Sequence, residues 1–132
     1  MILPMHWLPP RLAGALALLA ALAFSPAASA AELVMFSRAG CPYCARFDRE
    51  IAPIYGRTDE GRAAPLRRVD IHARVPADLK SIAMERITPV FVLVDHGREI
   101  GRIRGYPGED NFWGLLAGMI EDLQRTDAGK VN

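Results

Sequence analysis

Cys41 and Cys44 are the residues of this chain whose type and spacing point most directly to chemistry. They are separated by Pro42 and Tyr43, so they would stand one turn apart if a helix begins here. A disulfide between residues this close closes a tiny loop and constrains the unfolded chain only weakly, which makes it a poor structural crosslink. The pair therefore predicts redox chemistry, in which a thiolate attacks a disulfide.

A helix that begins at this pair would give the two cysteines different roles. Pro42 suits a first helical turn, where its missing N–H costs nothing. Cys41 would then lie at the N-terminus, where free N–H groups and the helix dipole stabilise a thiolate and lower the thiol pKa. We expect Cys41 to attack a substrate disulfide and Cys44, one turn deeper, to resolve the mixed disulfide. Arg38 and Arg46 are close in sequence and could help to stabilise the thiolate, but the favoured interpretation is that they are solvated surface charges.

Metal binding is the main alternative for a Cys-x-x-Cys pair. A soft ion such as Cu(I) is compatible with two thiolates, which leaves a copper carrier as the alternative function. Structural zinc normally takes four ligands, and His72 and His96 lack ligand spacing, so we interpret them as surface histidines. A non-catalytic regulator with the same fold is a third hypothesis, disfavoured because both cysteines are present. We therefore expect no metal site and no cofactor.

Thr88-Pro89, directly before the apolar run Val90–Val94, is the second informative feature. The simple interpretation is a trans proline that ends the preceding helix. The other is a cis proline packed beside the cysteines, with backbone groups of Thr88 pairing with an extended substrate peptide. Only about 5–6% of X-Pro bonds are cis, but the position just before a strand that would neighbour the cysteines favours the second interpretation. Pro42, Tyr43, Thr88 and Pro89 are therefore predicted to contact substrate.

The remaining pattern predicts an α/β domain in the order βαβαββα, with a mixed central sheet flanked by helices. Strands are predicted at Leu33–Phe36, Leu66–Ile71, Val90–Val94 and Glu99–Arg104, the last two joined by a hairpin turn. Helices are predicted from Pro42 to Gly56 with a kink or end near Ile51, from Pro76 to Ile87, and from about Glu109 to a frayed tail beyond Thr126. Residues 57–65 are predicted to form a polar loop. The cysteine pair falls at a strand-to-helix junction, where α/β proteins place their sites.

Residues 1–30 have the pattern of a signal peptide. Arg11 is followed by the unbroken apolar run Leu12–Phe24, and Ala28-Ser29-Ala30 is a small-x-small cleavage site, so cleavage is predicted after Ala30. The competing interpretation is an uncleaved anchor, because no charge occurs between Arg11 and Glu32. Both place a single domain, residues 31–132, outside the cytoplasm, and we expect a periplasmic protein.

The predicted domain has no net charge. Removal of residues 1–30 takes away only Arg11, so that 15 basic side chains remain with 15 acidic ones. A neutral domain gives no electrostatic reason to expect nucleic acid as a partner. About 100 residues are enough for one modest core.

Two segments resemble those of the thioredoxin superfamily. Phe36–Cys44 is similar to its active-site segment, Ile87–Leu93 to its cis-proline segment, and Gly105-Tyr106 to the loop beside them. The resemblance implies that Cys41 is the nucleophile, Cys44 the resolving thiol and Pro89 a cis proline. The chain departs from thioredoxins in three respects: it has the glutaredoxin form Cys-Pro-Tyr-Cys, it has Gly40 where thioredoxins have tryptophan, and Leu33–Phe36 lacks a buried acid.

A closer resemblance is to the SoxS-type periplasmic thioredoxins, which accompany bacterial sulfur-oxidation systems. It rests on Ala39–Asp48, Tyr55 and Thr58–Ile71. This resemblance implies a reductive role, in which the substrate is a disulfide or persulfide on the carrier cysteine of a thiosulfate-oxidising complex. It also implies that electrons come from a membrane thiol transporter.

Overall fold

The structure is a computed structural model and describes residues 31–130. The predicted signal peptide and the cleavage site after Ala30 lie outside the described residues. The strands are β1 (Ala31–Ser37), β2 (Leu66–Asp70), β3 (Val90–Asp95) and β4 (Arg98–Arg104). The helices are α1 (Pro42–Glu50), α2 (Ala52–Tyr55), α3 (Asp59–Ala63) and α4 (Glu109–Lys130), with a 3₁₀ turn at Ala77–Leu79.

The strands form one mixed sheet in the order β2-β1-β3-β4. β1 pairs parallel to β2 and antiparallel to β3, and β3 pairs antiparallel to β4. β1 and β3 occupy the centre, so both of their faces are covered and their sequences are apolar without alternation. The predicted fold class, α/β with a mixed central sheet, is confirmed.

Alternate side chains of β1 and β3 enter two separate cores. Leu33 and Met35 point with Phe91 and Leu93 towards α1 and α4. The opposite face carries a second core, whose strand members are Val34, Phe36, Val90, Val92 and Val94. Packing in the first core fixes the direction of α1, whose N-terminus carries the cysteine pair.

The predicted helix from Pro76 to Ile87 is wrong. Only Ala77–Leu79 is helical, as a 3₁₀ turn, and the rest of the segment is irregular. Leu79 and Ile82 are both buried against the second face of the sheet. Glu85, further along the segment, is bound by Arg102 and Arg104 of β4. Tertiary contacts therefore override the helical pattern.

Two further predictions are corrected. Residues 57–65 contain α3, which begins after Thr58 because its side-chain oxygen accepts from the backbone N–H of Gly61 at 3.0 Å. The tail predicted to fray from Thr126 continues as helix to Lys130.

The break predicted near Ile51 is found where α1 ends and α2 begins. Within residues 31–130, no helix is both long and apolar enough to span a bilayer.

Candidate active site

Cys41 is the N-cap residue of α1. Its backbone is extended, with φ −82° and ψ 111°, and its Sγ accepts a hydrogen bond from the backbone N–H of Cys44 at 3.1 Å. Pro42 is the first helical residue and has no N–H to leave unpaired. Gly40 precedes the cap with φ +71°, a left-handed conformation that glycine adopts at no steric cost. The local sequence therefore aims one backbone N–H of the first helical turn at the Cys41 sulfur atom.

A disulfide joins Cys41 to Cys44, with the two Cα atoms 5.2 Å apart. Both cysteines are buried, each with 5% of its surface exposed. The residues between them are exposed, Tyr43 to 58%. The structure therefore describes the oxidised state of a buried cysteine pair, with an exposed dipeptide between the two cysteines.

An open groove of about 490 Å³ runs along the cysteine pair. Its lining includes Arg38, Cys41, Pro42, Cys44 and Asp48. A substrate segment in this groove would lie against both cysteines. Because thiol–disulfide exchange needs direct access of one sulfur to another, the groove gives the buried pair a route to its substrate.

The Thr88–Pro89 peptide bond is cis in the structure, and Pro89 is buried. The Nε of Arg38 donates to the Thr88 hydroxyl at 3.2 Å, which ties this segment to the chain before Cys41. The carbonyl of Pro89 accepts from the backbone N–H of Gly105 at 2.8 Å. The structure thus brings the two motifs together through Arg38, a contact that sequence interpretation did not predict.

A hydrogen-bonded cluster braces the last turn of α1 against the loop that follows β4. The Tyr106 hydroxyl donates to Glu50 at 2.6 Å, Arg46 Nε donates to the same carboxylate at 2.8 Å, and the Arg46 guanidinium lies 5.5 Å from the Tyr106 ring. Donation by Tyr106, and then by Arg46, lowers the pKa of Glu50. Burial, and then the bond to Glu50, raises the pKa of Tyr106. Sequence reasoning missed this brace, although the four-residue spacing of Arg46 and Glu50 predicts an ion pair on a helix.

Phe47 anchors α1 to the sheet one turn beyond Cys44. It is fully buried, and its ring lies 4.7 Å from that of Phe91, 5.3 Å from that of Phe112 and 5.8 Å from that of Tyr106. Offset and edge-on arrangements at these separations are favourable for aromatic rings. The position of the cysteine pair therefore depends on packing in the core.

Two apolar side chains before Thr88 are exposed, and the exposure of Ile87 is contrary to prediction. Ile87 was expected on the buried face of a helix but is 51% exposed, and Met84 is 37% exposed. Both belong to the segment that leads into Pro89. The exposure of Ile87 was not predictable once the segment had been assigned to a helix.

The two histidines lie apart from the cysteines. His72 is exposed after β2, and the ring of His96 contacts Asp95 in the β3–β4 turn. In the part of the chain that the structure describes, no three side chains among His, Cys, Asp and Glu are grouped closely enough to hold a metal ion.

Comparison with known proteins is consistent with this geometry. Residues 21–120 match the family model described as a thioredoxin-like domain. The chain belongs to the thioredoxin superfamily. Among solved structures it is similar to the reduced form of the periplasmic thioredoxin SoxS from Paracoccus pantotrophus, with 47% identity and a TM-score of 0.64, over 70% of this chain and 98% of that one. A search of curated proteins found no match.

Membership of this superfamily, together with the Cys41–Cys44 disulfide, makes the chain a thiol:disulfide oxidoreductase. Its substrates are protein thiols and disulfides. The predicted resemblance to SoxS-type thioredoxins is confirmed.

Proposed function

We propose that this protein is a periplasmic reductase that keeps the cysteine of a sulfur-oxidation carrier protein in its free thiol form. The observation that supports this most directly is the hydrogen bond from the Cys44 N–H to Cys41 Sγ at the start of α1. The same donor would stabilise the Cys41 thiolate in the reduced protein, because helix N-termini favour negative charge. The similarity to a periplasmic thioredoxin SoxS supports the choice of substrate and compartment.

The reaction proceeds in two exchanges. The Cys41 thiolate attacks one sulfur of the substrate disulfide, and the other substrate sulfur leaves as a thiolate that takes up a proton. Cys44 then loses its proton and attacks Cys41 Sγ, which restores the disulfide of the structure and releases the second substrate thiol. The protein dithiol loses two electrons, and the substrate disulfide gains them. A persulfide would be reduced in the same way, with sulfide as the leaving group.

We assign substrate contact to Pro42 and Tyr43 on one side of the cysteines and to Thr88 and Pro89 on the other. The exposure of Tyr43 supports a contact role, because a large side chain that is 58% exposed is available to a partner. The bond between Arg38 and Thr88 supports the other side, because it holds the Pro89 segment beside the cysteine groove.

The proposal also covers the export of this protein and the source of the electrons that reduce its disulfide. A signal peptide over residues 1–30, removed after Ala30, would deliver the domain to the periplasm. There, a membrane thiol transporter would return electrons to the Cys41–Cys44 disulfide. Its own dithiol would attack the Cys41–Cys44 disulfide, as the Cys41–Cys44 dithiol attacks the substrate disulfide, so that the transporter is oxidised to a disulfide and both cysteines are returned to thiols.

The activity is tested by reduction of insulin by the wild-type protein and by Cys41→Ser. We expect the variant to lose the activity, and equal rates would refute the proposal. A Cys44→Ser variant should then trap its partner as a mixed disulfide, and capture of a sulfur-oxidation carrier protein would support the named substrate. Stoichiometric retention of Cu(I) without disulfide reduction would instead favour the copper carrier.

A further inference from the structure

The irregular segment that leads into the cis proline, residues 83–89, is bound by two arginines of β4. These residues form neither helix nor strand, so no regular backbone ladder fixes their path. Arg102 donates to the Ala83 carbonyl at 3.2 Å and also to the Glu85 carboxylate. Arg104 Nε donates to both oxygens of that carboxylate at 2.9 Å. We call the three side chains Glu85, Arg102 and Arg104 the β4 clamp.

Burial makes the β4 clamp more than a surface ion pair. The side chain of Arg102 is only 10% exposed and that of Glu85 is 26% exposed. Arg102 is also bound by Glu99 of its own strand, so its guanidinium is oriented from two sides. Exposed ion pairs contribute little because solvent screens them and their side chains stay mobile. A planar guanidinium that is both covered and paired is instead suited to fixing the position of a segment.

The β4 clamp is continuous with groups that we assign to substrate contact. Only two residues separate Glu85 from Thr88. On the other side of Thr88, the carbonyl of Pro89 accepts from the backbone N–H of Gly105 at 2.8 Å. Gly105 directly follows Arg104. The end of β4 and the residue after it therefore fix the chain before and after Thr88.

We propose that Glu85, held by Arg102 and Arg104, is a positioning residue for the reduction of peptide disulfides. It acts through the backbone of Thr88, which the β4 clamp keeps beside the cysteine groove, so that an extended peptide pairs there while its sulfur meets Cys41. This inference rests on the proposed function and extends it to residues outside both motifs. A small disulfide has no peptide backbone to pair with Thr88, so the β4 clamp should matter for peptide substrates alone.

Arg67 and Asp78 provide a matched control. Arg67 of β2 binds the Asp78 carboxylate through two hydrogen bonds, at 2.6 and 3.2 Å, so this is also a two-point pair of arginine and carboxylate. Asp78 belongs to the 3₁₀ turn that precedes the irregular segment. Asp78→Asn and Glu85→Gln each remove one negative charge with little change in shape, but only the second lies in the segment that carries Thr88.

The test measures the second-order rate constant at which a disulfide oxidises the reduced full-length protein, by acid quenching and alkylation of the remaining thiols. The substrates are insulin, whose disulfides lie in peptide chains, and hydroxyethyl disulfide, which has no peptide backbone. Wild type is compared with Glu85→Gln, Arg102→Gln, Arg104→Gln and Asp78→Asn. Urea unfolding of each protein records any loss of stability separately.

We expect Glu85→Gln to lower the insulin rate by about tenfold and the hydroxyethyl disulfide rate by less than about twofold, because misplacing a substrate by about 1 Å can cost about a hundredfold. Arg102→Gln should act in the same direction. Asp78→Asn should change neither rate by more than about twofold, as a substitution away from the site. Arg104 is 60% exposed, so Arg104→Gln should keep the fold and still slow insulin selectively. Adding it to Glu85→Gln should cause little further loss, because both remove one contact.

The outcomes that would overturn the proposal are distinct. Equal losses with both substrates would mean that Glu85 affects the cysteine pair itself. A selective insulin loss of the same size in Asp78→Asn would mean that any loosening of the region has this effect. Unchanged insulin rates in all three β4 clamp variants would remove the positioning role and leave the proposed reductase intact. Wild type that reacts with neither substrate would remove the reductase as well.

Discussion

Replacing Phe47 by alanine should weaken the packing that holds the cysteine-bearing helix on the sheet. The ring of Phe47 is fully buried and contacts three other aromatic rings, so no rearrangement of a surface side chain can fill the space that it leaves. Tyr43 lies on the same helix but is 58% exposed. Tyr43→Ala is therefore the matched control for loss of an aromatic ring from α1.

The magnitude follows from burial. Truncation of a buried phenylalanine to alanine costs about 3–5 kcal/mol, the sum of lost apolar transfer and the cavity. A domain of this size has a total stability of about 5–15 kcal/mol. Each kcal/mol corresponds to a shift of about 4–8 °C in Tm, so we expect Phe47→Ala to lower Tm by at least about 12 °C. Tyr43→Ala should stay within about 0.5 kcal/mol of wild type, as exposed substitutions generally do.

The measurement is urea unfolding of the oxidised proteins, followed by far-ultraviolet circular dichroism. Oxidised samples keep the Cys41–Cys44 disulfide constant between variants. A free energy of unfolding for Phe47→Ala within about 1 kcal/mol of that for Tyr43→Ala would refute the view that core packing anchors α1.

Three further predictions concern the rest of the fold. Gly61→Ala should destabilise the protein by at least about 2 kcal/mol, because the added Cβ would lie 1.8 Å from the Tyr55 carbonyl oxygen. Gly114→Ala, where the added Cβ has open space, should instead stabilise the protein by about 0.5–1 kcal/mol. Both changes are measured by urea unfolding. Tyr55→Phe removes a buried hydrogen bond to a backbone carbonyl, 2.7 Å long, and should cost about 1–3 kcal/mol in the same assay, so an unchanged value would be inconsistent with that bond. Donation by Arg104, and then by Arg102, lowers the pKa of Glu85, so its contribution is complete above the ordinary carboxyl pKa and is lost as pH falls through the lowered one. Arg104→Gln should therefore reduce the loss of stability between neutral pH and a pH below that lowered pKa, and an undiminished loss in urea unfolding would contradict this assignment.

The four strands and the start of α1 could be predicted because their signals are local. β1 and β3 are uniformly apolar since they are central in the sheet, and Pro42 fixes where the helix can begin. The same is true of the N-cap position of Cys41, which follows from the order of residues alone. The signal for α3, Thr58 followed by two acids, was present in the sequence and was overlooked in favour of overall polarity.

The segment before Thr88 could not be predicted, because contacts distant in sequence determine its path. Its apolar spacing suits a helix, yet Glu85 is bound by Arg102 and Arg104 of a strand that comes later in the chain. This error also concealed that Arg86 and Arg38 line one groove. The brace between Glu50 and Tyr106 is likewise a contact between residues 56 positions apart.

The most direct test of the mechanism is the ionisation of Cys41 in the reduced Cys44→Ser variant. The substitution removes the resolving thiol but retains the backbone N–H that donates to Cys41 Sγ. The rate of alkylation by iodoacetamide is measured against pH, in the folded protein and in concentrated urea. A helix N-terminus that stabilises the thiolate predicts a lower pKa of Cys41 in the folded protein than in urea. The same midpoint in both states would contradict the account.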